Sequence, residues 1–174
     1  TAALSELGLL QRGSVLAHCN FVSQADMEIM KGSLTGIAHC PISNAYFANS
    51  VFPLRRALDV GVSVGMGTDI SGGPSPSIFE NARFAIAASR MLEEGVDPDV
   101  VSASRGHPHS RIDFREALWV ATAGGAEVLD IPVGKFEKGR QFDAVLVDHH
   151  RATDRTSFSN SSTTGEDIIQ ELIY

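Results

Sequence analysis

Three short apolar runs, each leading into a residue that can do chemistry, organise the first 70 positions. Val15-Leu16-Ala17 leads into His18, Gly36-Ile37-Ala38 into His39, and Val62-Ser63-Val64-Gly65-Met66 into Gly67-Thr68-Asp69. Short apolar runs bounded by turn-forming residues read as buried strands. The intervals between them read as helices. Ser23, with Asp26 three residues on, has the form of a capping box, and the helix it opens is expected to run to about Lys31 and stop at Gly32. Pro41 ends the second strand, with Pro41-Ile42-Ser43-Asn44 expected as a loop. Pro53 to Val60 reads as a helix, with Gly61 just past its end. Strand, helix, strand, helix, strand is the order of a parallel α/β sheet.

Beyond Asp69 the pattern lengthens. Gly72-Gly73-Pro74-Ser75-Pro76 is a loop, and Ile78, Ala82, Ala85, Ile86 and Ser89 recur at helical spacing in a segment from Ser77 to Glu94. Pro98 to His109 is polar and reads as a loop with a short helical turn. Asp113 to Leu129 reads as a helix interrupted near Gly124-Gly125. Lys135 to Gly139 is rich in turn residues, Phe142 to Val147 reads as a strand, and Arg151 to Gly165 as a Ser/Thr-rich mobile loop.

Composition narrows the function classes. The 174 residues suffice for one domain with a core, and 43% are hydrophobic against 20% charged. A formal net charge of -7 argues against nucleic acid as a partner, because phosphate binding wants a basic face. No run approaches the roughly 20 apolar residues of a membrane span. Two cysteines, Cys19 and Cys40, make no disulfide framework, and a cytoplasmic location is expected. Thr1 at one end and the apolar run up to Tyr174 at the other suggest a piece of a longer protein.

A carboxylate at the C-terminal mouth of a strand stands where α/β proteins place their chemistry. Asp69 shares a strand face with Ser63, Gly65 and Gly67, so small neighbours leave room for a ligand. Asp69 can equally cap the following turn, and both readings stand. A lone strand-end histidine is usually a satisfied polar residue. His18, His39 and Asp69 at three successive strand ends read together as part of a metal-dependent hydrolase site. Adjacent strand residues face opposite sides, so the pairs His18-Cys19 and His39-Cys40 do not compose a His2Cys2 zinc site. His107-Pro108-His109 spells His-x-His, but Pro108 cannot serve a sheet ladder and the segment reads as a surface loop. His149-His150 reads as a solvated turn. The glycine-rich run from Ile70 to Pro76 lacks the lysine and the spacing of a phosphate-binding loop.

Three segments resemble the amidohydrolase superfamily: Ala38-His39-Cys40-Pro41-Ile42-Ser43-Asn44, Gly67-Thr68-Asp69, and Gly134-Lys135-Phe136-Glu137-Lys138-Gly139-Arg140-Gln141-Phe142-Asp143-Ala144-Val145. Gly67 to Ser77 also matches the Gly-Thr-Asp-x-x-Gly-Gly-x-Ser-x-Ser pattern of its guanine deaminase branch. Ala121-Thr122-Ala123-Gly124-Gly125-Ala126 is similar to the family's helix after the barrel. The resemblance implies a (β/α)8 barrel, a metal-dependent hydrolase TIM barrel that binds one zinc ion and converts guanine to xanthine and ammonia. It implies that residues 1–130 are about strands six to eight of that barrel and 131–174 the start of a flanking small β-domain. Asp69 matches the metal-ligating aspartate of the eighth strand, which also exchanges a proton with the attacking water. His18 matches the sixth-strand histidine, which contacts substrate or metal-bound water. His39 lies in the seventh-strand motif, where a structural role stands beside a chemical one. The implied partner is a small-molecule purine, guanine, with a homodimer at full length. The alternatives are another amidohydrolase acting on a purine, pterin or triazine, and a non-catalytic fragment.

The family also needs a His-x-His pair on its first strand and a fifth-strand histidine followed three residues later by glutamate. No His-x-x-Glu occurs in this sequence, and its His-x-His is the loop at His107. A catalytic zinc takes about three protein ligands, so the chain by itself is expected to be inactive.

Overall fold

The structure, a computed structural model, describes residues 1–148 and 164–174. After a short helix α1 (Ala2–Glu6), strands β1 (Val15–Ala17), β2 (Gly36–His39) and β3 (Val64–Met66) form a parallel sheet in the order β1-β2-β3. Leu16, Ile37 and Val64 lie in one row across it. Parallel neighbours need crossovers. Helix α2 (Gln24–Ser33) connects β1 to β2, while α3 (Pro41–Ala48) and α4 (Leu54–Val60) connect β2 to β3.

The row of Leu16, Ile37 and Val64 faces the main core. There it meets Met27 and Met30 of α2, Ala57 of α4, and Ala82, Ala85 and Ile86 of α5 (Ile78–Glu94). A short α6 (Ser102–Arg105) supplies the expected helical turn, followed by α7 (Phe114–Trp119), which adds Phe114 and Ala117 to the core. Helix α7 does not break at Gly124-Gly125. It passes through a π turn at Val120–Gly124 into α8 (Gly125–Leu129), so the expected interruption is a widened turn in a continuous helix.

Glycines let α8 approach the opposite face of the sheet. A Cβ on Gly36 would fall 2.7 Å from Val128 Cγ1, and one on Gly65 would fall 2.9 Å from the Gly125 Cα. The π turn itself covers the free edge of β3. Ser63 and Gly67 bond to β2, so the Val64 carbonyl between them points away from it, and Gly124 packs against that oxygen.

Three local expectations change. Gly32 sits inside α2, which ends instead at Ser33. Leu34 takes the left-handed conformation (φ 57°), and the N–H groups of Leu34 and Thr35 close on the Lys31 and Met30 carbonyls. The segment at Pro41, expected as a loop, is the first turn of α3. Proline at the first helical position loses no hydrogen bond, so it starts this helix as well as ending the strand. Residues 142–147 form no strand, because no strand among the described residues lies beside them. Val145 is 86% and Leu146 99% exposed. The C-terminal apolar run is a helix, α9 (Gly165–Ile173), capped by Thr164 and Asp167. Its Ile173 is fully buried, and its carbonyl accepts from Arg83 Nε at 2.7 Å. Residues 151–163 of the Ser/Thr-rich segment lie outside the described residues. No helix among the described residues is long and apolar enough to cross a membrane.

The close contact at the π turn makes two neighbouring glycines unequal. A Cβ on Gly124 collides with the Val64 carbonyl, whereas one on Gly125 meets open space. Gly124→Ala is expected to destabilise the fold by about 1–3 kcal/mol. Gly125→Ala is expected to be neutral or stabilising by up to about 1 kcal/mol. Urea midpoints measure both, and equal shifts would remove the helix from the β3 edge.

Candidate active site

The chain leaves β1 and β3 through left-handed backbone. His18 (φ 66°) and Cys19 (φ 54°) follow β1, and Asp69 (φ 48°) follows β3. Non-glycine residues adopt this conformation at a cost of about 1–2 kcal/mol each. These turns bring the two side chains to the same end of the sheet. His18 Nε2 lies 4.0 Å from Asp69 Oδ2, and both side chains are partly exposed. Two of the three strand-end residues singled out from the sequence therefore meet.

The third, His39, lies beneath them. It is 3% exposed, and its ring tilts against Phe52 with centroids 5.1 Å apart. Burial above all, with His18 nearby, pushes its pKa down to about 3 from the ordinary 6.5. His39 is therefore neutral across the physiological range.

The first turn of α3 joins these three residues. Ser43 and Asn44 are each 2% exposed. Ser43 Oγ donates to Asp69 Oδ2 at 2.5 Å. Asn44 Oδ1 lies 2.9 Å from His18 Nδ1, and Asn44 Nδ2 lies 3.4 Å from His39 Nδ1. Sequence reasoning missed Ser43 and Asn44 by assigning them to a loop. The signal that finds them is Pro41: read as a helix start, it places both residues on the first turn, directly after the His39 strand.

The glycine-rich run gives Asp69 clearance. A Cβ on Gly72 would fall 2.5 Å from Asp69 Oδ2, and one on Gly73 would fall 2.6 Å from the Thr68 carbonyl oxygen. The Gly73 N–H donates to the Asp69 carbonyl, closing the turn. Asp69 thus lines the cleft with its side chain and closes the turn with its backbone carbonyl.

His18, Ser43, Asn44 and Asp69 line an open cleft of about 690 Å³, whose apolar wall includes Phe21, Val22 and Phe47. Cys19 also lines it, but burial, with a smaller contribution from Asp26, pushes its thiol up to about 11. A thiol so raised is a poor nucleophile at neutral pH. His107 and His109 are exposed and line a separate cavity of about 340 Å³ with Arg56 and Asp59. His149 and His150 lie outside the described residues. Among the described residues, no three His, Cys, Asp or Glu side chains form a group that could hold a metal.

A comparison with known families matches the amidohydrolase family over residues 1–168. The chain belongs to the amidohydrolase family. It is 39% identical over 142 residues to a probable guanine deaminase of Schizosaccharomyces pombe, covering 80% of this chain and 25% of that protein. The crystal structure of a guanine deaminase from C. acetobutylicum, with guanine bound in its active site, is similar over 99% of this chain and 38% of its own. Its TM-score is 0.78 at 26% identity. The zinc complex of atrazine chlorohydrolase from Arthrobacter aurescens TC1 is similar over 79% of this chain and 28% of its own, with a TM-score of 0.66 at 27% identity. The chain thus spans between 25% and 38% of the length of these amidohydrolases.

Buried His39 makes the fold acid-labile. Its folded pKa of about 3 lies below the ordinary 6.5. Its contribution to stability is therefore complete above about pH 6.5 and is lost as pH falls toward about 3. Denaturant midpoints measured between pH 7 and pH 4 should decline less steeply in His39→Gln than in the parent. Identical slopes would mean that this histidine does not stay neutral.

Proposed function

We propose that the full-length protein hydrolyses the exocyclic amine of guanine, giving xanthine and ammonia, and that this chain supplies strands six to eight of its barrel. The observation that carries this reading is the extent of the structural likeness. It runs through 99% of the chain for the guanine deaminase but 79% for the triazine hydrolase, and the TM-score falls from 0.78 to 0.66. On the same reading, residues 131–174 begin a flanking β-domain. The exposure of Phe142, Val145 and Leu146 supports this, since an apolar run left in water has surface to bury against a neighbour.

The donors present suit zinc in kind. Asp69 offers the carboxylate oxygens, and the His18 imidazole 4.0 Å away stays free for the substrate. The donors do not suffice in number, since a catalytic zinc takes about three protein ligands. The reading therefore requires further ligands, and a general acid/base, from sequence beyond these residues. When bound, zinc supplies the acidification of water that makes it a nucleophile at neutral pH. Asp69 would be the ligand from this chain and would exchange a proton with the attacking water. Ser43 holds its Oδ2, which fixes the carboxylate plane. His18 presents Nε2 to the cleft, where it meets the substrate. Phe21 and Phe47 give the cleft an apolar wall for a flat ring. Burial of polar partners around the purine would supply selectivity, because a polar site rejects analogues that leave its groups unpaired.

Xanthine formation from guanine by the full-length protein tests the reading, with atrazine and adenosine as competing substrates. Guanine is expected to be preferred. Asp69→Asn is expected to lower turnover by about 10²–10⁴-fold and to reduce bound zinc, read by elemental analysis. Turnover of a triazine with none of guanine would transfer the chain to the other branch. Full activity in Asp69→Asn would end the assignment of Asp69.

A further inference from the structure

Asn44 uses both ends of one amide on two histidines. Its Oδ1 faces His18 Nδ1 at 2.9 Å and its Nδ2 faces His39 Nδ1 at 3.4 Å. An amide oxygen only accepts and an amide nitrogen only donates. A neutral imidazole carries one N–H, on one ring nitrogen. The two contacts are therefore not independent: the Nδ1 atom facing the oxygen must carry hydrogen, and the Nδ1 atom facing the nitrogen must not.

We infer that Asn44 couples the tautomers of the two histidines, so that His39 is a positioning residue that sets whether the His18 nitrogen facing the cleft, Nε2, carries hydrogen. His39 accepts at Nδ1 and carries its hydrogen on Nε2. Asn44 then turns its oxygen to His18, whose hydrogen sits on Nδ1. In the neutral form of His18, Nε2 is then a bare acceptor. It stands 4.0 Å from Asp69 Oδ2, which is itself an acceptor and already holds the Ser43 hydroxyl. Two acceptors sharing one space call for a hydrogen-bond donor between them. This deepens the proposed function and rests on it for the identity of that donor: guanine, which carries ring N–H and amine hydrogens. In the opposite amide orientation Nε2 would carry hydrogen and offer the wrong polarity.

The arrangement also explains why His39 is buried. A solvated histidine samples both tautomers, and its choice could not be transmitted. His39 is 3% exposed, packed on Phe52, and kept neutral by burial, so its hydrogen count is fixed at one. Asn44 is 2% exposed, and a free amide flip would leave both ends facing like groups.

Nitrogen-15 shifts of the imidazoles in the full-length, metal-loaded protein, labelled on histidine, read the tautomers directly and need no substrate. The expected result is His18 with hydrogen on Nδ1 and His39 with hydrogen on Nε2. In His39→Leu the amide loses its fixed partner, and His18 should become a mixture of tautomers. His39→Met, whose thioether sulfur can only accept, should return His18 toward one form and serves if the leucine variant does not fold. Turnover of guanine in His39→Leu should fall by about 10–100-fold, the scale seen when a ligand's supporting partner is lost, with KM changed less than kcat. Hydrogen on the same nitrogen of both histidines in the parent would overturn the coupling. So would a single unchanged His18 tautomer in His39→Leu. If the tautomers are as stated and guanine is not turned over, the coupling stands and the substrate assignment falls.

Discussion

Ser43 and Asn44 are consecutive residues on the first turn of α3, and between them they hold both groups at the mouth of the sheet. Neighbouring residues on a helix diverge by about 100°. One side chain can thus reach toward β3 and Asp69 while the next reaches toward β1 and His18. The helix starts directly after β2, the central strand, so it lies between the two partners it serves. Pro41 permits this abrupt start because the first helical N–H has no partner to lose. The site is therefore a consequence of strand order: the middle strand delivers the helix that orients what its neighbours present.

Local backbone strain also falls at the same places. His18, Cys19, Asp69 and Ser71 all have positive φ without being glycine. Such residues persist where the surroundings over-determine them. At Asp69 the surroundings are visible: the Gly73 N–H on its carbonyl, the Ser43 hydroxyl on its carboxylate, and no Cβ at Gly72 or Gly73 to crowd it. Gly67 extends the pattern beneath, where a Cβ would fall 2.8 Å from Cys40 Sγ. The run that lacked every mark of a phosphate cradle is the clearance around one carboxylate.

The strands, the α4 and α5 helices and the meeting of His18 with Asp69 were legible because each rests on local signals, namely apolar runs, Ser77 as an N-cap and Gly61 as a C-cap. What was not legible depended on partners. Pro41 is ambiguous in sequence, since it stops a strand and starts a helix by the same chemistry. Gly32 looked like a stop signal, but Leu34 took the left-handed position because Thr35 is pulled back to the Met30 carbonyl and buried. The apolar run at Phe142 has strand composition and no strand beside it. A strand is a relation between two segments, and composition describes only one of them.

The same distinction bears on His39. By itself a buried histidine against a phenylalanine is a packing residue, and nothing in its own environment asks for an imidazole rather than another aromatic ring. The demand comes from Asn44, whose amide needs an acceptor on one side if it is to present its oxygen on the other. A phenyl ring in the same place would fill the volume and leave the amide free to turn. Since the amide is buried, each orientation must be satisfied at both ends, and the chain of contacts settles as a unit. The polarity of the cleft surface is thus set by a group that never reaches the cleft.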